Sequence, residues 1–116
     1  WYRAKQMPVV AYSSLGRGLF SGKLKYADRE NAAKVLDADA MRGYGYEENF
    51  ERLRRCEEMA AEKEVTVAQI AMAWIHTQGL NTFAVVSTSS KERMQQNIDA
   101  LHIELTKEEA DYLDLR

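Results

Sequence analysis

Thr82-Phe83-Ala84-Val85-Val86-Ser87 runs directly into Thr88-Ser89-Ser90-Lys91-Glu92-Arg93-Met94-Gln95-Gln96-Asn97. Six residues of β-branched and apolar character, with no polar alternation, predict a strand buried on both faces. The hydroxyls that follow open a helix predicted from about Lys91 to Leu101, and Ser89-Ser90-Lys91-Glu92 has the form of a capping box. The same order occurs once more upstream. Pro8-Val9-Val10-Ala11-Tyr12-Ser13 is a second short apolar run, and it leads into Ser14-Leu15-Gly16-Arg17-Gly18-Leu19-Phe20-Ser21-Gly22-Lys23. Three glycines within that loop mark unusual backbone angles. Two buried strands separated by helices predict parallel βα units.

Between the strands, Leu24 to Gly45 has a weak pattern. A short helix capped by Asp28 is expected up to Leu36, and Gly43-Tyr44-Gly45-Tyr46 reads as a break. Phe50, Leu53, Cys56, Met59 and Ala60 then recur at three- and four-residue spacing and predict an amphipathic helix ending near Glu64. Thr66-Val67-Ala68-Gln69 is a capping box that opens a helix over Val67 to Thr77, apolar nearly all round and ended by Gly79. Thr106-Lys107-Glu108-Glu109 opens a last helix, and Trp1 to Gln6 reads as the end of a preceding one. Two buried strands do not make a stable parallel sheet alone, because both faces and both edges need cover. The chain is therefore expected to be part of a larger barrel or to pair with another copy.

The 116 residues fall well short of the roughly 250 of a complete eight-fold β/α barrel. A net charge of −2 excludes a broad nucleic-acid surface, so any anion site must be local. No apolar run reaches the roughly 20 residues of a membrane span, and no signal peptide is visible. One cysteine, Cys56, forms no internal disulfide and points to a reducing cytoplasm. The start at Trp1 rather than Met reads as a cut or processed piece.

Two segments carry candidate chemistry. The glycines of the first loop let backbone N–H groups approach a phosphate, with Arg17 and Lys23 adding charge. The plain alternative is a structural turn, and the loop is neither a Walker loop nor a Rossmann fingerprint. In the second, Arg93, Gln96 and Asn97 share one helix face by their spacing, at a helix N-terminus suited to anions. Guanidinium groups clasp phosphate and side-chain amides read adenine edges. The alternative is a capped surface helix with solvated polar residues. Both segments follow strands, and in a β/α barrel the last two βα loops frequently build a phosphate site. His76, His102, Trp74 and Cys56 read as packing or surface residues, and no metal-ligand spacing occurs.

Val10 to Lys23 resembles the seventh strand and loop of aldo-keto reductases, especially the branch containing the potassium-channel β-subunits. Thr66 to Trp74 is similar to the helix before that family's eighth strand, and Thr88 to Asn97 to its cofactor-clasping loop and helix. The resemblance implies the C-terminal portion of a (β/α)8 TIM barrel, strands 7 and 8 with their helices, as one domain over residues 1–116. It implies that Ser13, Leu15 and Gly16 line the pyrophosphate and nicotinamide-ribose side, with Arg17 close by and Lys23 reaching phosphate. Ser89 and Arg93 would hold the adenosine 2′-phosphate, and Gln96 and Asn97 would contact adenine. The cofactor implied is NADPH, which reduces an aldehyde or ketone without a metal. Ser14 stands where the family usually has proline, Ser87 where glycine is common, and Gln96 where glutamate is frequent. The family's catalytic Asp, Tyr, Lys and His motifs match no part of this chain, so no catalytic residue is assigned. The expectation is a cofactor-binding part of an NADPH-dependent reductase. The alternative is a non-catalytic, self-associating nucleotide-binding or regulatory fragment.

Overall fold

The computed structural model describes residues 1–116. Helix α1 (Tyr2–Lys5) leads into strand β1 (Val9–Ala11). A 3-10 turn at Gly16–Gly18 and a second at Tyr26–Asn31 precede α2 (Ala32–Val35), α3 (Ala38–Tyr44), α4 (Glu47–Lys63) and α5 (Val67–His76). Strand β2 (Thr82–Ala84), α6 (Lys91–Asp99), a 3-10 turn at Ala100–His102 and α7 (Lys107–Leu113) complete the chain. The two strands pair in parallel with Val9 opposite Thr82, Val10 opposite Phe83 and Ala11 opposite Ala84. The Val9 amide donates to the Asn81 carbonyl and the Val85 amide to the Ala11 carbonyl, each at 2.8 Å, so the ladder outlasts the three paired residues.

Both strands were expected to be buried on two faces, and the structure corrects this. Val9, Ala11, Thr82 and Ala84 are half-buried, whereas Val10 is 65% and Phe83 54% exposed. Successive strand side chains point to opposite faces. Helix α5 packs on β2, and Val10 and Phe83 are left more than half exposed.

The core lies among the helices and the loop after β1. Leu19 and Leu24, from that loop, are almost fully buried with Leu36, Leu53 and Ile70. Burying one such leucine stabilises by roughly 1.5–3 kcal/mol, so the glycine-rich loop is pinned at both ends of residues 19–24. Helix α4 buries Phe50, Leu53, Cys56, Met59 and Ala60, the stripe that the spacing predicts. It ends at Glu64 in the left-handed region, whose amide returns to the last carbonyls. The capping boxes at Thr66 with Gln69 and at Thr106 with Glu109 both form. The Trp74 indole N–H donates to the Ala110 carbonyl at 3.1 Å and ties α5 to α7.

Residues 24–45 depart from expectation. The turn begins at Tyr26, because Glu57 from α4 accepts the Tyr26 amide at 2.8 Å. Asp28 then lies inside a kinked 3-10 segment rather than at a cap. Helix α3 is capped by Asp37, whose carboxylate accepts the Ala40 amide at 2.7 Å, and it runs through Gly43 to a break at Gly45. Helix α5 stops at His76 with Thr77 as its C-cap, ahead of Gly79. The cap of α6 is Ser90, which accepts the Arg93 amide. The third helical residue is therefore Arg93, and no reciprocal box closes there.

Candidate functional site

Ser13, Gly16, Arg17 and Gly18 all have positive φ, between 52° and 103°, so the chain coils tightly as it leaves β1. That coil consumes its own donors. The amides of Gly16, Gly18, Leu19, Phe20 and Ser21 go to carbonyls of residues 13–18. The expected backbone cradle for phosphate is therefore not offered at those five positions, because a 3-10 turn satisfies them internally. The loop offers side-chain charge instead. A β-carbon at Gly18 would lie 2.6 Å from Lys23 Cε and 2.8 Å from Nζ, so glycine there makes room for Lys23 to fold across the loop.

Lys23 enters a groove of about 900 Å³ bounded by this loop, the turn between α4 and α5, and the start of α6. Three cations line it: Lys23 and Lys25 from the segment after β1 and Arg93 from the start of α6. None of the three takes part in an ion pair, whereas Arg17, Arg42, Arg52, Arg54, Arg55 and Arg116 all do. Gln96 and Asn97 line the same groove, next to the α4–α5 turn. Gln69, buried in its capping box, donates from Nε2 to the Gln96 carbonyl at 3.1 Å and fixes α6 against α5. The Ser90 hydroxyl accepts the Arg93 amide at 3.2 Å and donates to Glu92 at 3.0 Å. The Glu92 carboxyl is held below its ordinary value by its own backbone amide and by Ser90.

Of the nine residues expected to contact a cofactor, Leu15, Lys23, Arg93, Gln96 and Asn97 line this groove. Ser13 and Gly16 instead line a second cavity of about 310 Å³, between the end of β1, α4 and α5. Arg17 faces Asp37 at 3.9 Å and Asp39 at 3.8 Å. Ser89 is exposed outside the lining, while Ser87, Thr88 and Ser90 belong to it.

Sequence reasoning missed Lys25, Glu57 and Ser90. The signal for Lys25 was present: Leu24 is buried between two exposed lysines, a two-residue alternation that puts Lys23 and Lys25 on one side of an extended segment. Ser90 follows from taking it, rather than Ser89, as the cap of the helix that opens at Lys91. Glu57 has no local signal, because its partner lies 31 residues away.

Cys56 borders the second cavity but is buried, and burial with the nearby Glu57 charge pushes its thiol up to about 12. His76 faces β2 in a third cavity and His102 is exposed; neither lines the groove. No three His, Cys, Asp or Glu side chains approach closely enough to hold a metal ion. No helix is long and apolar enough to cross a membrane.

The groove thus offers unpaired cations from two segments of the chain and side-chain amides from one of them. These fit a polyanion carrying a heteroaromatic ring. The Aldo/keto reductase family model matches residues 1–115.

Proposed function

This chain belongs to the aldo/keto reductase family, and from that membership we propose that it is the part of an NADPH-dependent carbonyl reductase that grips the cofactor. The family folds as a (β/α)8 barrel, and seven helices with two parallel strands fit a portion of one. In this reading β1 and β2 are strands 7 and 8, and residues 1–116 form the C-terminal part of the reductase domain. The resemblance of Val10 to Lys23 to the branch that includes the potassium-channel β-subunits is what supports placing the chain in that branch.

One observation carries the reading: Lys23 and Lys25 from the loop after β1 and Arg93 from helix α6 converge, unpaired, on one groove that also presents the side-chain amides of Gln96 and Asn97. Lys23 and Lys25 would neutralise the pyrophosphate. Arg93, with the hydroxyls at the start of α6, would hold the 2′-phosphate, since guanidinium pairs with phosphate by a planar fork of donors. Gln96 and Asn97 would hydrogen-bond adenine. Ser13 and Gly16 would shape the turn toward the nicotinamide ribose rather than touch phosphate, and Arg17 would stabilise that turn through Asp37 and Asp39. NADPH, when bound, supplies the hydride for an aldehyde or ketone. This chain's part is to bind and orient it, because none of the family's four catalytic motifs matches here. The buried thiol of Cys56 accords with a reducing cytoplasm.

Fluorescence titration with NADPH and NADH tests the assignment. Arg93→Ala is expected to weaken NADPH about tenfold more than NADH, as loss of a charge-assisted phosphate contact implies. Equal loss for both nucleotides counts against 2′-phosphate recognition.

A second reading has its own observation. The exposed face carrying Val10 and Phe83 suits a copy of this chain, which would make a self-associating nucleotide-binding fragment. Sedimentation that gives a monomer across a wide concentration range removes it.

A further inference from the structure

Glu92 stands beside Arg93 in the groove wall, and its carboxylate is in no ion pair. It is bound instead to the hydroxyl of Ser90, which donates to Glu92 Oε2 at 3.0 Å while accepting the Arg93 amide at 3.2 Å. A serine hydroxyl has a single proton to give. While Glu92 holds it, the hydroxyl adjoining Arg93 has no donor left for a phosphate. The anion site at this helix start therefore has an internal competitor: Arg93 and the helix N-terminus favour a dianion, while Glu92 repels it and withholds Ser90.

We propose that Glu92 sets the discrimination between nucleotides with and without a 2′-phosphate, lowering the preference for NADPH and permitting binding of NADH. A carboxylate accepts hydrogen bonds from the hydroxyls of a free ribose, which is how acidic residues select the unphosphorylated dinucleotide in other nucleotide folds. The juxtaposed Glu92 and Arg93 thus serve the two cofactors in opposite senses. The carboxyl stays ionised well into mild acid, since its backbone amide and Ser90 both favour the charged form. The inference rests on the nucleotide-binding reading above.

Glu92→Gln keeps the length and an acceptor for Ser90 but removes the charge; Glu92→Asp keeps the charge. Dissociation constants for NADPH and NADH are measured by fluorescence titration for the wild type and both variants, at low and high salt. Both nucleotides feel any loosening of α6 equally, so the ratio of the two constants isolates the 2′ position. Glu92→Gln is expected to shift that ratio about fivefold toward NADPH, Glu92→Asp much less, and high salt should shrink the difference. A ratio that moves less than about twofold in Glu92→Gln, or moves toward NADH, overturns the inference while leaving the nucleotide site standing. Failure of the wild type to bind either nucleotide overturns both.

Discussion

Glu57 on α4 accepts the Tyr26 amide at 2.8 Å, and Glu57 and Lys25, the residue before Tyr26, both line the groove. The contact fixes the strap that carries Lys23 and Lys25 to the longest helix of the chain. The Arg29 guanidinium closes over the Tyr26 ring at 4.1 Å and donates to the Tyr26 carbonyl, so the far side of the turn is held as well. Glu57→Ala leaves the Tyr26 amide without its acceptor and is expected to destabilise the fold by about 1.5–3 kcal/mol, as for a hydrogen bond to a charged group. NADPH affinity should fall with it, because the two lysines lose their fixed direction. Glu57→Gln retains an acceptor oxygen and should recover most of both losses. Urea unfolding and nucleotide titration of the two variants check this; identical behaviour of alanine and glutamine would sink it.

Gln69 has two duties. Its Oε1 accepts the Thr66 amide at 3.0 Å to close the capping box, and its Nε2 reaches the Gln96 carbonyl on α6. Gln69→Ala should cost about 1–2 kcal/mol, combining the lost cap on the Thr66 amide with the lost link to the Gln96 carbonyl, which keeps the Ala100 amide. Gln69→Glu should keep the cap and lose only the link to α6, so it should fall between wild type and alanine in denaturant midpoint. Hydrogen exchange would then show α6 opening more readily while α5 stays protected.

The helices were legible where a periodic stripe met a capping signal. Phe50 to Ala60 and the Thr66 and Thr106 boxes form as their spacing dictates. The parallel order of β1 and β2 followed from the helices between them. What local pattern could not supply was the route of residues 24–45. There the start of the turn is decided by Glu57, far away in sequence, and the cap of α3 by Asp37 rather than Asp28. The site divided in the same way. Arg93, Gln96 and Asn97 share a helix face by geometry and meet in the groove. Arg17, one of three charged or glycine positions in a row, was drawn off by Asp37 and Asp39 on an element the sequence did not reveal. Backbone donors of the glycine loop were spent on its own turn, which composition alone does not disclose.

Cys56 provides a test of the packing between α4 and its neighbours. Its thiol is buried and raised to about 12, first by desolvation and then by the Glu57 charge. A thiol reacts as thiolate, so at pH 8 the folded chain is expected to resist a maleimide or a disulfide reagent, and to react fully in urea. Labelling at increasing denaturant should therefore follow the global unfolding transition. Rapid modification without denaturant would mean that α4 opens locally and that the second cavity admits reagent.

The acid limb of stability has a named contributor in Glu51. Arg54 donates to both of its oxygens and Arg55 to one, and these hydrogen bonds hold its carboxyl at about 2 against an ordinary 4.5. A carboxyl depressed in the folded state stabilises fully above its unfolded value and loses that contribution as protons bind on the way down to the folded one. The window for Glu51 therefore runs from about pH 4.5 to about pH 2. Because the group is exposed, its share is small and salt-sensitive. Glu109 and Asp111 are lowered too, Glu109 by Lys63 and the Thr106 amide and Asp111 chiefly by Lys107, so several carboxylates weaken the fold together. Melting temperature is expected to fall steadily across that window. Glu51→Gln should start lower at neutral pH and descend less steeply, converging with the wild type near pH 2. Parallel curves at every pH would show that the arginine contacts of Glu51 add no pH-dependent stability, leaving Glu109 and Asp111 to account for the slope.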